Sequence, residues 1–204
     1  MAGAAVSGIE EQQFIEAARA FAPVALEFCE LFEGEPFAEE LWAALETLLP
    51  RLYLGGVSLA DAAPDDAFTH AEEGEQQFDI VPRLRNEAID ERCDAWASAL
   101  GDADLLARFT FYGWAPPTVQ GGELEPDYDA SASRVSDELG VIYANLSGGL
   151  VLLDSGLPGT ARIASDDWLY SFYAVWGEVV PDLLKAVHSR INTDLDDVHI
   201  EAEP

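Results

Sequence analysis

Positive charge is what this sequence lacks most. Nine arginines and a single lysine stand against 39 aspartates and glutamates in 204 residues, a formal net charge of −29. A surface of that sign repels nucleic-acid backbones and anionic lipid headgroups and attracts basic protein surfaces and cations. Direct nucleic-acid binding and membrane association are therefore not expected. Cysteine is scarce as well: Cys29 and Cys93 are too few for a disulfide framework and too far apart for a zinc motif. His70, His188 and His199 are scattered along the chain, and no Gly-rich phosphate loop or nucleophile elbow occurs. No stretch approaches the roughly 18 apolar residues needed to span a membrane. The first eight residues are small and mostly uncharged, without the basic and apolar regions of a secretory signal. These absences predict a cytoplasmic protein with no cofactor, no assigned metal and no nucleophilic catalytic apparatus.

What is present is a foldable chain. Hydrophobic residues make up 49% of it, including five Trp and ten Phe, far more than a disordered acidic segment carries. The length suits one domain over residues 1–204, with 1–8 and 192–204 as flexible ends. Residues 1–80 carry seventeen acids against two arginines, so the acidity is heaviest in the N-terminal part. Solubility or adaptation to a salty interior explains such a charge as readily as a surface shaped for a basic partner.

Hydrophobic periodicity predicts helices throughout. Phe14, Ala17/Ala18, Phe21, Val24/Ala25, Phe28 and Leu31/Phe32 repeat at three and four residues, which makes one apolar helix face that Pro23 is expected to kink without ending the pattern. Phe37, Leu41, Leu45, Leu48 and Leu52 repeat the spacing in a second helix that Pro50 bends and Gly55–Gly56 weakens or ends. Residues 60–81 read as an acidic loop. Pro82 opens a third helix to about Leu100, a short helix follows at 102–109, and 117–131 reads as a second acidic loop. A fourth helix spans about Ser133 to Leu153. The last, about 161–191, carries Trp168, Phe172 and Trp176 on its apolar arc, with Ser171, Glu178 and Asp182 on the far side. The fold class is all-α, a single-domain bundle of about five to seven helices.

Arg134-Val135-Ser136-Asp137-Glu138-Leu139, Ile142-Tyr143, Leu146 and Gly149-Leu150 resemble the first half of a two-part signature. Trp168, Ser171-Phe172 and Trp176-Gly177 resemble the second. Together they are similar to a bacterial family of uncharacterised all-helical domains, and Tyr112–Pro116 is similar to an aromatic stretch that precedes the same helix in that family. The likeness covers 109–190, while 1–108 share only the helical layout. It implies a helical bundle and brings no activity with it. Glu138 replaces the second Asp of the pattern, Gly140-Val141 replace an Ala-Asp pair, and Val175 stands at a position that is usually basic or His.

Three constellations carry chemistry on paper. Glu87, Glu91 and Asp94 share one helix face, a spacing that holds Mg²⁺ in all-helical nucleotide phosphohydrolases. They lie away from the face marked by Ile89, Cys93, Trp96 and Leu100, however, so they are expected in solvent as weak metal candidates. Arg134, Asp137 and Glu138 can pair along their helix, and beside Tyr143 and Trp176 such a pair would organise a pocket. Trp168, Phe172 and Trp176 form a stripe that reads as core or as a groove for a partner's apolar side chain, and Tyr112 and Trp114 are candidates for an accessible contact. Asp154-Ser155-Gly156 matches the protease triplet but ends a helix, where Ser-Gly is ordinary capping. The reading that fits most of these features is a non-enzymatic interaction or regulatory module for a basic protein surface. The alternatives are an all-α metal-dependent nucleotide phosphohydrolase and a DNA mimic.

Overall fold

The apolar repeat beginning at Phe14 becomes one long helix, α1 (Ala2–Glu33), in a computed structural model that describes residues 2–65, 67, 83–110, 119–120, 123–124 and 129–199. Phe14, Ala18, Phe21, Ala25, Phe28 and Phe32 share its inner face and are all buried. The alanines between the rings let neighbouring helices approach while the phenylalanines fill the space on either side. Pro23 stays within α1 on the exposed side, where its missing N–H costs a helical bond without interrupting the apolar face.

The second helix, α2 (Ala38–Ala62), packs along α1 through Leu41, Leu45, Leu48, Leu49 and Leu52. It does not end at Gly55–Gly56. A Cβ on Gly55 would lie 2.2 Å from the Phe21 ring, and one on Gly56 would lie 2.4 Å from the Phe172 ring. These glycines admit aromatic rings to the helix surface, and they act as close-approach sites instead of breakers. The third helix, α3, spans Asn86–Leu100 and stops at Gly101, whose φ of 55° is a left-handed value. Pro82, the expected start, lies outside the described residues.

A 3₁₀ turn (Gly101–Asp104) leads into β1 (Leu105–Thr110). After β2 (Val119–Gln120) and β3 (Glu123–Leu124), which pair with each other, β4 (Asp129–Arg134) returns antiparallel to β1 with Leu105 opposite Arg134. This ribbon corrects the reading of 102–109 as a short helix and of 117–131 as a plain loop. A six-residue run is too short for its period to separate strand from helix. The Gly121-Gly122 dipeptide, set between two short runs, was the available hairpin signal.

From Arg134 the chain enters α4 (Val135–Asp154), turns at Gly159 (φ 86°), and continues as α5 (Thr160–Ser171), a π-helical turn (Phe172–Trp176) and α6 (Gly177–His199). The predicted last helix is therefore continuous but contains an inserted residue. Ser171, expected on the polar side, is instead buried, and its hydroxyl accepts Trp176 Nε1. The helical backbone also extends into both segments expected as ends. α1 packs against α2, α4 and α5, α6 packs on α2, and α3 packs on α4. The result is a single helical domain with the ribbon attached between α3 and α4.

Candidate functional site

Helix α4 starts with Arg134 in the cap position and extended (φ −100°, ψ 140°), and its side chain does not cap the helix. The capping oxygen comes instead from Asp104, at the end of the 3₁₀ turn. Asp104 Oδ1 accepts the Ser136 backbone N–H at 2.7 Å, and Oδ2 accepts the Ser136 hydroxyl at 2.9 Å and Arg134 Nε at 3.1 Å. A carboxylate on the unpaired N–H groups of a first turn satisfies them and complements the helix dipole. Arg134 also reaches Asp137 Oδ2 at 3.5 Å and Asp94 Oδ1 at 3.7 Å. One guanidinium thus ties the ribbon, α4 and α3 together.

Beside Arg134 the facing sides of α3 and α4 enclose an open surface cleft of about 460 Å³. Ile89, Cys93, Gly140, Val141 and Ala144 supply its apolar lining, and Asp90, Asp94 and Asp137 its acidic groups. Gly140 is required here, because a Cβ would lie 2.5 Å from Cys93 Sγ. Burial, and then the charges of Asp137 and Asp90, push the Cys93 thiol up to about 11 against the opposing pull of Arg134. It is therefore a protonated thiol at neutral pH and a poor nucleophile.

A second polar cluster closes the C-terminal end of α1. Trp96 Nε1 donates to the Phe32 carbonyl at 3.1 Å, and the Arg92 guanidinium donates to the carbonyls of Glu33 and Gly34. Cationic donors at the last carbonyls of a helix suit its dipole. The Glu33 carboxylate accepts Arg83 Nε and Nη2 at 2.8 and 2.9 Å and the Tyr143 hydroxyl at 2.8 Å. Partial burial raises the Glu33 carboxyl, but the hydrogen bonds from Arg83 and Tyr143 and the nearby arginine charges outweigh it and leave it below the ordinary value of 4.5. Burial and the same carboxylate push the Tyr143 phenol up, and burial drives Cys29 up to about 12.

The aromatic stripe fills the centre of the bundle. Trp168 Nε1 donates to the Leu146 carbonyl at 3.0 Å, and a Cβ on Gly149 would lie 2.3 Å from that indole. Phe21 meets Trp168 edge-on at 5.1 Å and stacks on Trp176 at 5.8 Å. Trp176 Nε1 donates to Ser171 Oγ at 2.9 Å. The Gly177 N–H bonds back to the Phe172 carbonyl, where a Cβ would sit only 2.2 Å away. Gly149 in α4 thus admits the Trp168 ring, while Gly177 at the end of the π turn admits Phe172.

A family model described as a domain of unknown function (DUF5063) matches residues 12–192. The chain belongs to this family. No curated protein matches it. Among solved structures, the protein BF1032 from Bacteroides fragilis is similar in fold, with a TM-score of 0.58 and 19% identity over 83% of this chain and 91% of that one. In this DUF5063 domain Gly149 and Trp168 meet between α4 and α5, while Arg134 and Ser136 hold the base of the ribbon at Asp104.

The predicted site residues separate in space. Trp168, Phe172 and Trp176 are buried among other aromatic rings, and Tyr143 is buried with its hydroxyl on Glu33. Glu138 is buried while Asp137 is exposed. The recorded partners of Arg134 are Asp104, Ser136, Asp94 and Asp137, so it organises the ribbon base instead of a pocket at Trp176. Glu87 and Glu91 are exposed, and Asp94 lies beside Arg134. Among the described residues, no group of three or more His, Cys, Asp or Glu is placed to hold a metal ion, and no helix is long and apolar enough to cross a membrane. Tyr112 and Trp114 lie outside the described residues. Sequence reading passed over Asp104, Glu33 and Arg83, whose partners are distant in the chain, and the exposed Tyr170 and Tyr173 near the π turn.

Proposed function

We propose that this domain is a non-catalytic interaction module whose acidic helical surface receives a basic protein partner. The observation that carries this reading is the isolation of its outer carboxylates. Glu10, Glu11 and Glu30 on α1, Glu39, Glu40, Glu46 and Asp61 on α2, and Glu87, Asp90 and Glu91 on α3 are all exposed, and none is in an ion pair among the described residues. Charge left uncompensated over three helices gives a field that speeds encounter with a basic surface and selects against acidic ones. Arg134, set between Asp94 and Asp137, weighs against the phosphohydrolase alternative, because a fixed cation sits where the carboxylates of α3 and α4 converge.

The test is retention of basic proteins on the immobilised domain at low salt, followed by elution as the Debye length falls from roughly 10 Å at 0.1 M to 3 Å at 1 M. The same retained protein should bind less to a charge-reduced variant carrying Glu39→Gln, Glu40→Gln and Glu46→Gln. Retention that ignores both salt and these substitutions would overturn the reading.

A further inference from the structure

We propose that the α3–α4 cleft is the docking point for a single arginine side chain of that basic partner. The proposal rests on the basic-partner reading and sharpens it to one place on the surface. The cleft measures about 460 Å³, within the roughly 300–1,000 Å³ range of small-ligand sites. Its lining divides as a long cationic side chain requires: apolar groups (Ile89, Val141 and Ala144) for the aliphatic stem, and Asp90 for the head, with Asp94 and Asp137 already held by Arg134.

The protein supplies its own precedent at one end. Arg134 places its guanidinium between Asp137 on α4 and Asp94 on α3, at 3.5 and 3.7 Å, so this pair of helices already accepts that planar group. Asp90 stands one turn away from Asp94 on the same face of α3. It is exposed and in contact with the cleft, and among the described residues it has no cationic partner. The α3 wall of the cleft therefore offers one more carboxylate, Asp90, beyond the pair that Arg134 already spans. A guanidinium suits it better than an ammonium, being more weakly hydrated and able to bond a carboxylate through two N–H groups at once.

The experiment is a titration of the full-length chain, followed by ¹H–¹⁵N correlation spectra, with acetyl-Gly-Gly-Arg-Gly-Gly-amide and with the same peptide carrying citrulline or lysine. The arginine peptide should shift the amides of 89–94 and 137–144 in a saturable way, citrulline should not, and lysine should bind more weakly. Asp90→Asn should weaken the arginine peptide about two- to fivefold. Ala144→Phe, at an exposed position, should block the cleft and abolish the local shifts at unchanged net charge. If that variant does not fold, Ala144→Leu and Asp90→Asn carry the test. Asp154→Asn, elsewhere on the surface, should leave the shifts unaltered. Shifts spread over all the acidic helices, equal binding of lysine, or full binding to Ala144→Phe would each overturn the proposal. If the cleft fails while salt-sensitive retention persists, only the cleft assignment falls; loss of retention itself removes the basic-partner reading.

Discussion

On one side of α4, Leu146, Gly149 and Leu150 receive the indole of Trp168. On the opposite side, Asp137, Gly140, Val141 and Ala144 line an open cleft against α3. Both sides use a glycine to let a neighbour approach, Gly149 for Trp168 and Gly140 for Cys93. The first contact is dry, and its indole N–H is satisfied by a carbonyl; the second leaves carboxylates in water. Stability should therefore be concentrated on the Trp168 side, and sensitivity to charge and salt on the cleft side.

The largest effect should come from emptying the closed side. Trp168→Ala removes a fully buried indole that Phe21 and Gly149 enclose and should cost about 3–5 kcal/mol in denaturant unfolding. Gly149→Ala alone should cost about 1–3 kcal/mol by overpacking, despite the helical preference for alanine. With Trp168 already gone, the added methyl has room, so the double variant should be more stable than the two separate losses predict. Strict additivity would show that Gly149 is not shaped by the indole. Next in size is Asp104→Ala, which leaves the Ser136 N–H and hydroxyl without their acceptor and takes one of several partners from Arg134. A loss of about 2 kcal/mol is expected, with hydrogen-exchange protection falling first at the start of α4.

How much of this was legible in the sequence follows from how far apart the partners lie. The helices declared themselves because Phe14, Phe21, Phe28 and Phe32, or Leu41, Leu45, Leu48 and Leu52, repeat along one face within a few turns. The Trp168–Trp176 stripe and its glycines were visible as a pattern, though the complementarity of Gly149 and Trp168 needs the fold to be seen. The cap on α4 was not legible, since Asp104 acts 32 residues away and local capping rules look only within a turn. Ser171 was misplaced because α5 buries a wider arc than its large apolar residues mark, taking in Thr160, Ala164, Ser165 and Ser171 beside Trp168 and Leu169. The tie between Glu33, Arg83 and Tyr143 spans 50 and 110 residues and leaves no local trace at all.

That tie gives a smaller effect on stability and a distinct one on pH. Tyr143→Phe removes one donor from the Glu33 carboxylate and should cost about 1 kcal/mol. Because the folded-state pKa of Glu33 lies below its ordinary value of 4.5, its contribution is complete above that pH and is lost as pH falls through the folded value. With one donor gone, that value should rise toward 4.5, and the acid limb of the stability curve should move to higher pH. Carboxyl ¹³C titration of Glu33 in both proteins measures this directly. An unmoved titration would mean that Arg83 and Arg92 set it without the phenol.

The smallest effect expected on stability belongs to the solvent face of α3, outside the cleft. Glu87 and Glu91 on α3 are exposed, and neither is in an ion pair among the described residues, so Glu87→Gln with Glu91→Gln should change unfolding free energy by no more than about 0.5 kcal/mol. Relief of repulsion among like charges makes a slight gain the expected sign. The same pair of substitutions should slow association with a basic partner at low salt and leave it unchanged at high salt, since exposed charges act chiefly on encounter. A clear stability loss would mean that these acids belong to the packed structure, and the charged surface of α3 would no longer be separable from the fold.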